Sequence, residues 1–375
     1  MKINVTRTSL PPFEDYCEEI RKLWDSHILT NMGVEHDALR DALQQYLGVQ
    51  HVVLFTNGHL ALEAGLRTLG LPQGGEVITT PLTFVSTTHA LVRCGLTPVF
   101  CDVCPEDGTM DAAKIEPLIN ERTVAILPVH VYGHVCDVDA IGAVAERHGL
   151  KVLYDAAHAF GVRYRGVPVA QLGEAVMLSF HATKVFSTIE GGAVCCSDAA
   201  LARRLADERN YGIRDEETCV AAGGNAKMSE FQAAMGLCNL RLLEAELARR
   251  KAVDAQYRAL LAGVPGLRML VPRPGVTPNY AYLPVLFEGE GVRDRVKEAL
   301  TADGIGSRKY FWPLTSAVEA YKGCPWADPS MTPVAARMAA QVLTLPLSAD
   351  LEPEQVERIC ALVRQVLDTS AYVTS

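Results

Sequence analysis

From about residue 35 to 200, short apolar runs alternate with stretches whose apolar positions recur at helical spacing. HVVLF (51–55), EVITT (76–80), TPVFCDV (97–103), TVAILPV (123–129) and KVLYD (151–155) read as buried strands. Between them LALEAGLRTL, VSTTHALVRC, AAKIEPLI and DAIGAVAERH read as helices. The alternation predicts the α/β class: a mostly parallel sheet wrapped by helices on both faces. The pattern then changes. AVMLSF (175–180) and AVCCS (193–197) are strands joined by a short loop instead of a helix. Past Gly224 the spacing predicts one long helix over about 228–262, expected to link two domains. The remainder, with a strand in YAYLPVLF (280–287) and helices at 291–303 and 352–367, predicts a smaller C-terminal α+β domain.

The 375 residues exceed what one hydrophobic core usually covers, in keeping with two domains. The expected division puts residues 1–245 in the large domain, with the first ~25 residues free to pack on the small one, and 246–375 in the linking helix and small domain. A net charge of −9 sets aside general nucleic-acid binding, which needs a basic surface. No apolar run reaches the ~18 residues that cross a bilayer. MKINVTRTSLPPFEDY lacks the apolar stretch of a signal peptide, so a cytoplasmic protein with no membrane partner is expected. The 11 cysteines are odd in number and scattered, as buried thiols in a reducing compartment would be. Cys101 and Cys104 form a C-x-x-C pair, but no second pair stands at zinc-like spacing, and no metal site is expected.

Open parallel sheets bind ligands in the crevice at the carboxyl ends of their strands. Asp155 ends KVLYD, where its carboxylate either points into that crevice or caps a following helix. Lys184 lies in SFHATKVFSTIEGG (179–192), between two apolar strands. Withdrawal from water disfavours a charged amine, and a neutral amine condenses with carbonyls; an exposed loop lysine is the plain alternative. Taken together the two residues match the needs of pyridoxal 5'-phosphate: a lysine for its aldehyde and a carboxylate for its pyridine nitrogen. A charge pair at about 4 Å is worth roughly 4 kcal/mol at an effective dielectric of about 20, enough to keep that nitrogen protonated. The cofactor also needs a phosphate site. TNGHLALEAGL (56–66) follows a strand and opens a helix, so Asn57, Gly58 and His59 would present free N–H groups at a positive helix end. Ser179 stands ready to add a hydroxyl, and Phe84 to stack on the ring; a plain turn and a core phenylalanine are the structural alternatives.

PLTFVSTTHALVRCGLTPVFCDV, ILPVHVYGHVCDVDAI, YDAAHAFG, SFHATKVFSTIEGG and GGNAKMSEFQAAMG together resemble the DegT/DnrJ/StrS-type sugar aminotransferases, and the resemblance runs down to VLTLPLSADL near residue 350. It implies the fold-type I aminotransferase architecture. It also implies that Lys184 is the Schiff-base lysine and Asp155 the pyridine partner. His158 falls where the family places Gln or His near the phenolic oxygen. Gly58, His59 and Ser179 fall in the phosphate cup, and Phe84 at the stacking aromatic. Asn225 matches an asparagine that reaches the phosphate from the neighbouring subunit, which implies a homodimer with shared active sites. Many members carry Thr or Ser where this chain has His59; a backbone N–H contact survives that change and a hydroxyl contact does not.

The implied activity moves an amino group from L-glutamate to a keto-deoxy nucleotide sugar. The HATKVF and HVYG segments look most like those of members that convert TDP-4-keto-6-deoxyglucose to TDP-4-amino-4,6-dideoxyglucose. A 3-keto nucleotide-sugar aminotransferase shares all of these motifs, and a pyridoxal-phosphate sugar dehydratase shares the fold. The dehydratases that resemble this group replace the lysine with histidine or add an iron–sulfur cysteine set, and neither feature stands in this chain. RKYFWPLT (308–315) resembles the family's substrate-facing stretch, so Tyr310 is expected either at the sugar nucleotide or in the core.

Overall fold

The structure, a computed structural model, describes residues 2–371. The large sheet takes β1 (His51–Phe55), β2 (Glu76–Thr79), β3 (Thr97–Phe100), β4 (Thr123–Leu127) and β5 (Lys151–Asp155). A two-residue ribbon, β6 (Arg163–Tyr164) and β7 (Val167–Pro168), precedes its last two strands, β8 (Ala175–Ser179) and β9 (Gly192–Cys196). The order is β1-β9-β8-β5-β4-β2-β3. Neighbours from β8 through β3 run parallel, whereas β9 runs antiparallel to both β8 and β1. A parallel pair needs a crossover, usually a helix. The segment between β8 and β9 contains none, so β9 returns as an antiparallel neighbour.

Helices α1 (Phe13–Ser26), α2 (Val34–Leu47), α3 (Gly58–Thr68), α4 (Ser86–Arg93), α5 (Val138–His148) and α6 (Ala199–Arg209) surround this sheet. The stretch AAKIEPLI does not form the helix its spacing predicts. It makes two short 3₁₀ turns, Ala112–Lys114 and Glu116–Leu118. Pro117 is the physical reason: its ring disfavours the α region at Glu116 and it brings no N–H to an α-helical ladder.

The long helix α7 (Glu230–Leu260) opens with a reciprocal capping box between Ser229 and Gln232. Its first half packs on the core of the large sheet through Ala233 and Leu243, and its second half enters a separate apolar cluster through Val253 and Tyr257. That second cluster lies between α7, α8 (Val292–Ala302), α10 (Pro353–Ala371) and a small antiparallel sheet. The sheet is β10-β12-β13, formed by Leu267–Met269, Leu283–Phe287 and Val342–Leu345. Strand β11 (Val276–Thr277) joins the β6–β7 ribbon, and α9 (Pro333–Gln341) leads into β13. The strand in YAYLPVLF begins only at Leu283, because Tyr280 takes a left-handed conformation at φ 53°. Near the N-terminus Ile3 pairs with Ile305 of the small unit, while α1 lies on α7, with the Tyr16 hydroxyl donating to the Phe231 carbonyl at 3.1 Å. Among the described residues no helix is long and apolar enough to cross a membrane.

Two carboxylates join the units. Asp102, just past β3, accepts from the N–H groups of Val334 and Ala335 at the start of α9, at 3.1 and 2.8 Å, and from Lys114 at 3.1 Å. These donors hold its carboxyl below the usual range although burial pushes the other way. Asp107 faces Arg273 at 3.8 Å.

Candidate active site

The carboxyl ends of β5, β8, β2 and β1 bring the candidate residues to one rim. Asp155 closes β5 and is 4% exposed. One carboxylate oxygen accepts from the Ala157 N–H at 3.0 Å, the other from the Thr87 hydroxyl at 2.8 Å. No helix follows, so the carboxylate closes a local turn and is free of a helix-capping duty. Burial pushes its carboxyl up, and the two donors together with the Lys184 charge pull it down. A buried carboxylate in that balance favours a cationic partner over water.

Lys184 sits in the loop between β8 and β9, half-buried, with its Nζ 3.3 Å from the Tyr282 hydroxyl. Tyr282 comes from the stretch just before β12, so a segment beyond α7 completes the amine's surroundings. His158 follows β5 and is buried. Burial first, and then the Lys184 charge, push its imidazolium well below the usual range, so the ring is neutral. Its Nδ1 accepts from the Tyr132 N–H at 3.0 Å, which assigns the proton to Nε2. The ring stacks on Phe311 at 5.7 Å and meets Tyr282 edge-on at 4.8 Å. Asn279 clamps the backbone here by donating to the carbonyls of His158 and Phe160.

The start of α3 forms a cradle. Asn57 caps the helix by accepting from the Leu60 N–H at 2.8 Å. Among the described residues, the N–H groups of Gly58 and His59 have no acceptor. A Cβ on Gly58 would lie 3.0 Å from the Ser179 Oγ, and one on Gly192 only 2.7 Å from the Gly58 backbone nitrogen. Glycine is therefore required at both places for three backbones and one hydroxyl to converge. The His59 side chain turns away from the cradle: its Nδ1 meets the Ser86 hydroxyl at 2.7 Å and its Nε2 the buried Glu63 carboxylate at 3.0 Å. Phe84 stands before α4, 56% exposed, its ring 6.4 Å from Phe311.

These groups fit pyridoxal phosphate: an amine, a buried carboxylate, a neutral N–H donor and a cradle of unpaired N–H groups occupy one crevice. Tyr310 belongs to the same aromatic cluster, stacked on Phe311 at 4.9 Å and edge-on to Tyr282 at 6.0 Å, and its carbonyl accepts from the Tyr132 hydroxyl at 2.6 Å. Asn225 is exposed on the loop before α7, where its side chain accepts from Lys227 at 2.8 Å. It stands apart from the other predicted residues in its contacts within the chain. Cys101 and Cys104 are free thiols, and burial pushes Cys104 up to about 12.

Sequence reasoning missed Thr87, Tyr132, Tyr282 and Phe311. Thr87 lies three residues past Phe84 on α4, a spacing that carried a signal once Phe84 was suspected. Tyr282 and Phe311 come from a different unit of the chain, more than 95 residues beyond Lys184, and nothing local announces them.

The profile of the DegT/DnrJ/EryC1/StrS aminotransferase family matches residues 13–364. The chain is 41% identical over 366 residues to the dTDP-4-amino-4,6-dideoxy-D-glucose transaminase of Escherichia coli, covering 96% of this chain and 98% of that one. It is 35% identical over 335 residues to the dTDP-3-amino-3,4,6-trideoxy-alpha-D-glucose transaminase of Streptomyces venezuelae, covering 89% and 87%. Its fold superimposes with a TM-score of 0.93 on the crystal structure of DesI with its TDP-sugar product, at 34% identity and covering 100% of this chain and 95% of the other. Family profile, relatives and fold agree, and the chain belongs to the DegT/DnrJ/EryC1/StrS aminotransferase family.

Proposed function

We propose that this chain is a cytoplasmic pyridoxal-phosphate enzyme. It moves an amino group from L-glutamate to TDP-4-keto-6-deoxyglucose, giving TDP-4-amino-4,6-dideoxyglucose. The observation that carries the reading is the convergence of Lys184, Asp155 and the Gly58–Ser179 cradle at one rim of the sheet. The sugar is argued from the 41% identity to the Escherichia coli transaminase. The chain divides within α7, near residue 245, into a large cofactor-binding unit and a small unit that lends Tyr282, Tyr310 and Phe311.

Pyridoxal phosphate, when bound, supplies an aldehyde for the amino group and an electron-withdrawing ring for the charge left on the substrate carbon. The protein's own residues do the rest. The N–H groups of Gly58 and His59 with the Ser179 hydroxyl bind phosphate at the positive end of α3. Asp155 holds a proton on the ring nitrogen, and Thr87 and Ala157 keep that carboxylate aimed. His158 donates its Nε2 proton to the phenolic oxygen. Phe84 stacks on the ring. Lys184 would hold the cofactor through its Nζ, and its amine would move the proton at the substrate carbon, a role worth about 10²–10⁴ in rate. Tyr282 steadies the Lys184 amine. Tyr310 faces the sugar nucleotide from the aromatic wall.

A homodimer with shared sites completes the arrangement, with Asn225 of each subunit reaching the other's cofactor phosphate. Leu10, Phe13, Trp24 and Val34 support it: all four are more than 60% exposed, an apolar surface suited to a second copy. Gly223 suits a loop held close to other backbone, since a Cβ there would lie 2.7 Å from the Glu208 carbonyl.

A second reading, amination at C3, draws on the Streptomyces venezuelae relative. One experiment tests both. The protein loaded with cofactor is mixed with a panel of 3-amino and 4-amino nucleotide sugars, and the cofactor spectrum is followed. Rapid conversion by the TDP-4-amino sugar alone is expected; response to a 3-amino sugar alone transfers the assignment to C3. Borohydride reduction followed by peptide mapping should find the cofactor on Lys184, and an adduct on another lysine would sink the whole reading.

A further inference from the structure

Glu63 is a buried carboxylate close to the cradle that takes no part in the proposed chemistry. It lies on α3, one turn beyond His59, and is 1% exposed. It accepts from Arg67 at 2.9 Å and from Arg93 at the end of α4, and it meets the His59 Nε2 at 3.0 Å. Arg67 also pairs with Glu208 at 3.1 Å. Two guanidinium groups thus face two carboxylates, and their charges balance before the imidazole is counted. His59 adds a hydrogen bond to a cluster that is already neutral.

His59 is held at both ring nitrogens, since its Nδ1 meets the Ser86 hydroxyl at 2.7 Å. A side chain gripped at both ends keeps one orientation, and its own Cα is fixed with it. That counts at this position. The first N–H groups of a helix have no partner within it, and helix ends fray. Gly58 and His59 are the first two residues of α3, and the Asn57 cap reaches only the Leu60 N–H. The His59 side chain ties the turn that carries the two cradle N–H groups to a second helix.

That second helix is a firm reference. Ser86 opens α4, in which Ala90 and Leu91 are fully buried. Thr87 donates to Asp155, the Thr88 hydroxyl donates to that of Thr315 at 2.8 Å, and the His89 Nδ1 contacts the Tyr321 hydroxyl. Three consecutive residues therefore anchor α4, to the end of β5 and to the stretch beyond Tyr310. Phe84 stands two residues before Ser86. The His59–Ser86 contact joins the segment that carries the phosphate cradle to the segment that carries the ring's neighbours.

We propose that His59 is a positioning residue for the cofactor phosphate. Its side chain, tied to Ser86 and Glu63, locks the first turn of α3 against α4, so that the N–H groups of Gly58 and His59 converge on one phosphate. The proposal rests on the pyridoxal-phosphate reading of the cradle.

The test titrates the full-length chain, stripped of cofactor, with pyridoxal phosphate and separately with pyridoxal, which lacks the phosphate. The ratio of the two affinities isolates the phosphate contribution. His59→Ala should weaken pyridoxal phosphate roughly tenfold, the size of one or two hydrogen bonds, and leave pyridoxal within about threefold. Ser86→Ala should reproduce part of that loss. Added to His59→Ala it should cost nothing further, because the contact is already gone. His59→Asn, whose amide stands where Nδ1 stands and still reaches Ser86, should recover most of the affinity. Equal pyridoxal phosphate affinity in His59→Ala and the unaltered protein overturns the proposal. So does an equal loss for both ligands, which would mark a tie that serves the fold alone. Should His59→Ala fail to fold, Ser86→Ala decides, and an unchanged affinity ratio in it overturns the proposal. An unaltered chain that binds no pyridoxal phosphate overturns the cofactor reading itself, and the proposal with it.

Discussion

Replacing Asp155 by asparagine separates a structural carboxylate from a functional one. The amide keeps the shape, and its oxygen still accepts from the Ala157 N–H, which now stands 3.0 Å from a carboxylate oxygen. Its NH₂ group faces the Thr87 hydroxyl, which turns to accept and donates to Thr83, 3.0 Å away. Burial pushes the Asp155 carboxyl up, so the folded protein without cofactor bears a cost for ionising it that the amide avoids. The cofactor-free Asn variant should therefore melt at or above the temperature of the unaltered protein near neutral pH. With cofactor the sign reverses. A pair at about 4 Å contributes roughly 4 kcal/mol at an effective dielectric of about 20. If half of that is felt only as charge develops on the ring, the rate falls ~30-fold; if all of it, ~10³-fold. Single-turnover kinetics with glutamate, alongside melting with and without cofactor, measures both limbs. Activity within threefold of the original would refute the electron-sink role, and a collapsed cofactor-free variant would show that the carboxylate serves the fold.

Tyr282→Phe removes the hydroxyl 3.3 Å from the Lys184 amine, so kcat should fall roughly 5–30-fold with KM for the sugar little changed; an unchanged kcat would show that the contact is incidental. Lys184→Ala and Asn225→Asp each damage a site from different subunits under the shared-site arrangement, so mixing the two inactive variants under subunit exchange should restore part of the activity; a mixture no better than its inputs ends that arrangement. His36, His130 and His158 are neutral in the fold, with burial pushing the first to about 4 and the second to about 3, whereas in the unfolded chain each takes a proton near ~6.5. Their folded values are depressed, so stability is full above ~6.5 and is lost as pH falls toward about 4, by up to ~4 kcal/mol per pH unit for the three together. Denaturant titrations of the cofactor-free protein between those limits should show the slope, and His130→Gln should remove about a third of it; an undiminished slope would contradict the assignment.

The order of strands and helices and the class of the fold were legible in the chain because each rests on a local pattern, and the same patterns singled out the proposed pair. A buried parallel strand is a short apolar run, an amphipathic helix repeats its apolar positions, and Asp155 and Lys184 sit at the ends of such runs. Where a local rule was overlooked the reading failed locally: Pro117 broke the helix expected over 112–119, and the left-handed Tyr280 shortened a strand. Tertiary structure decided what depends on distant residues meeting. The partner of the Lys184 amine is a tyrosine 98 positions away, the donor that aims Asp155 lies 68 positions before it, and the His158 tautomer follows from the Tyr132 N–H. The unpaired charge of Arg209 is of the same kind. Its spacing marks it as the last residue of a helix; only the packing of α2, α6 and β1 removes it from water and leaves its Nε without an acceptor.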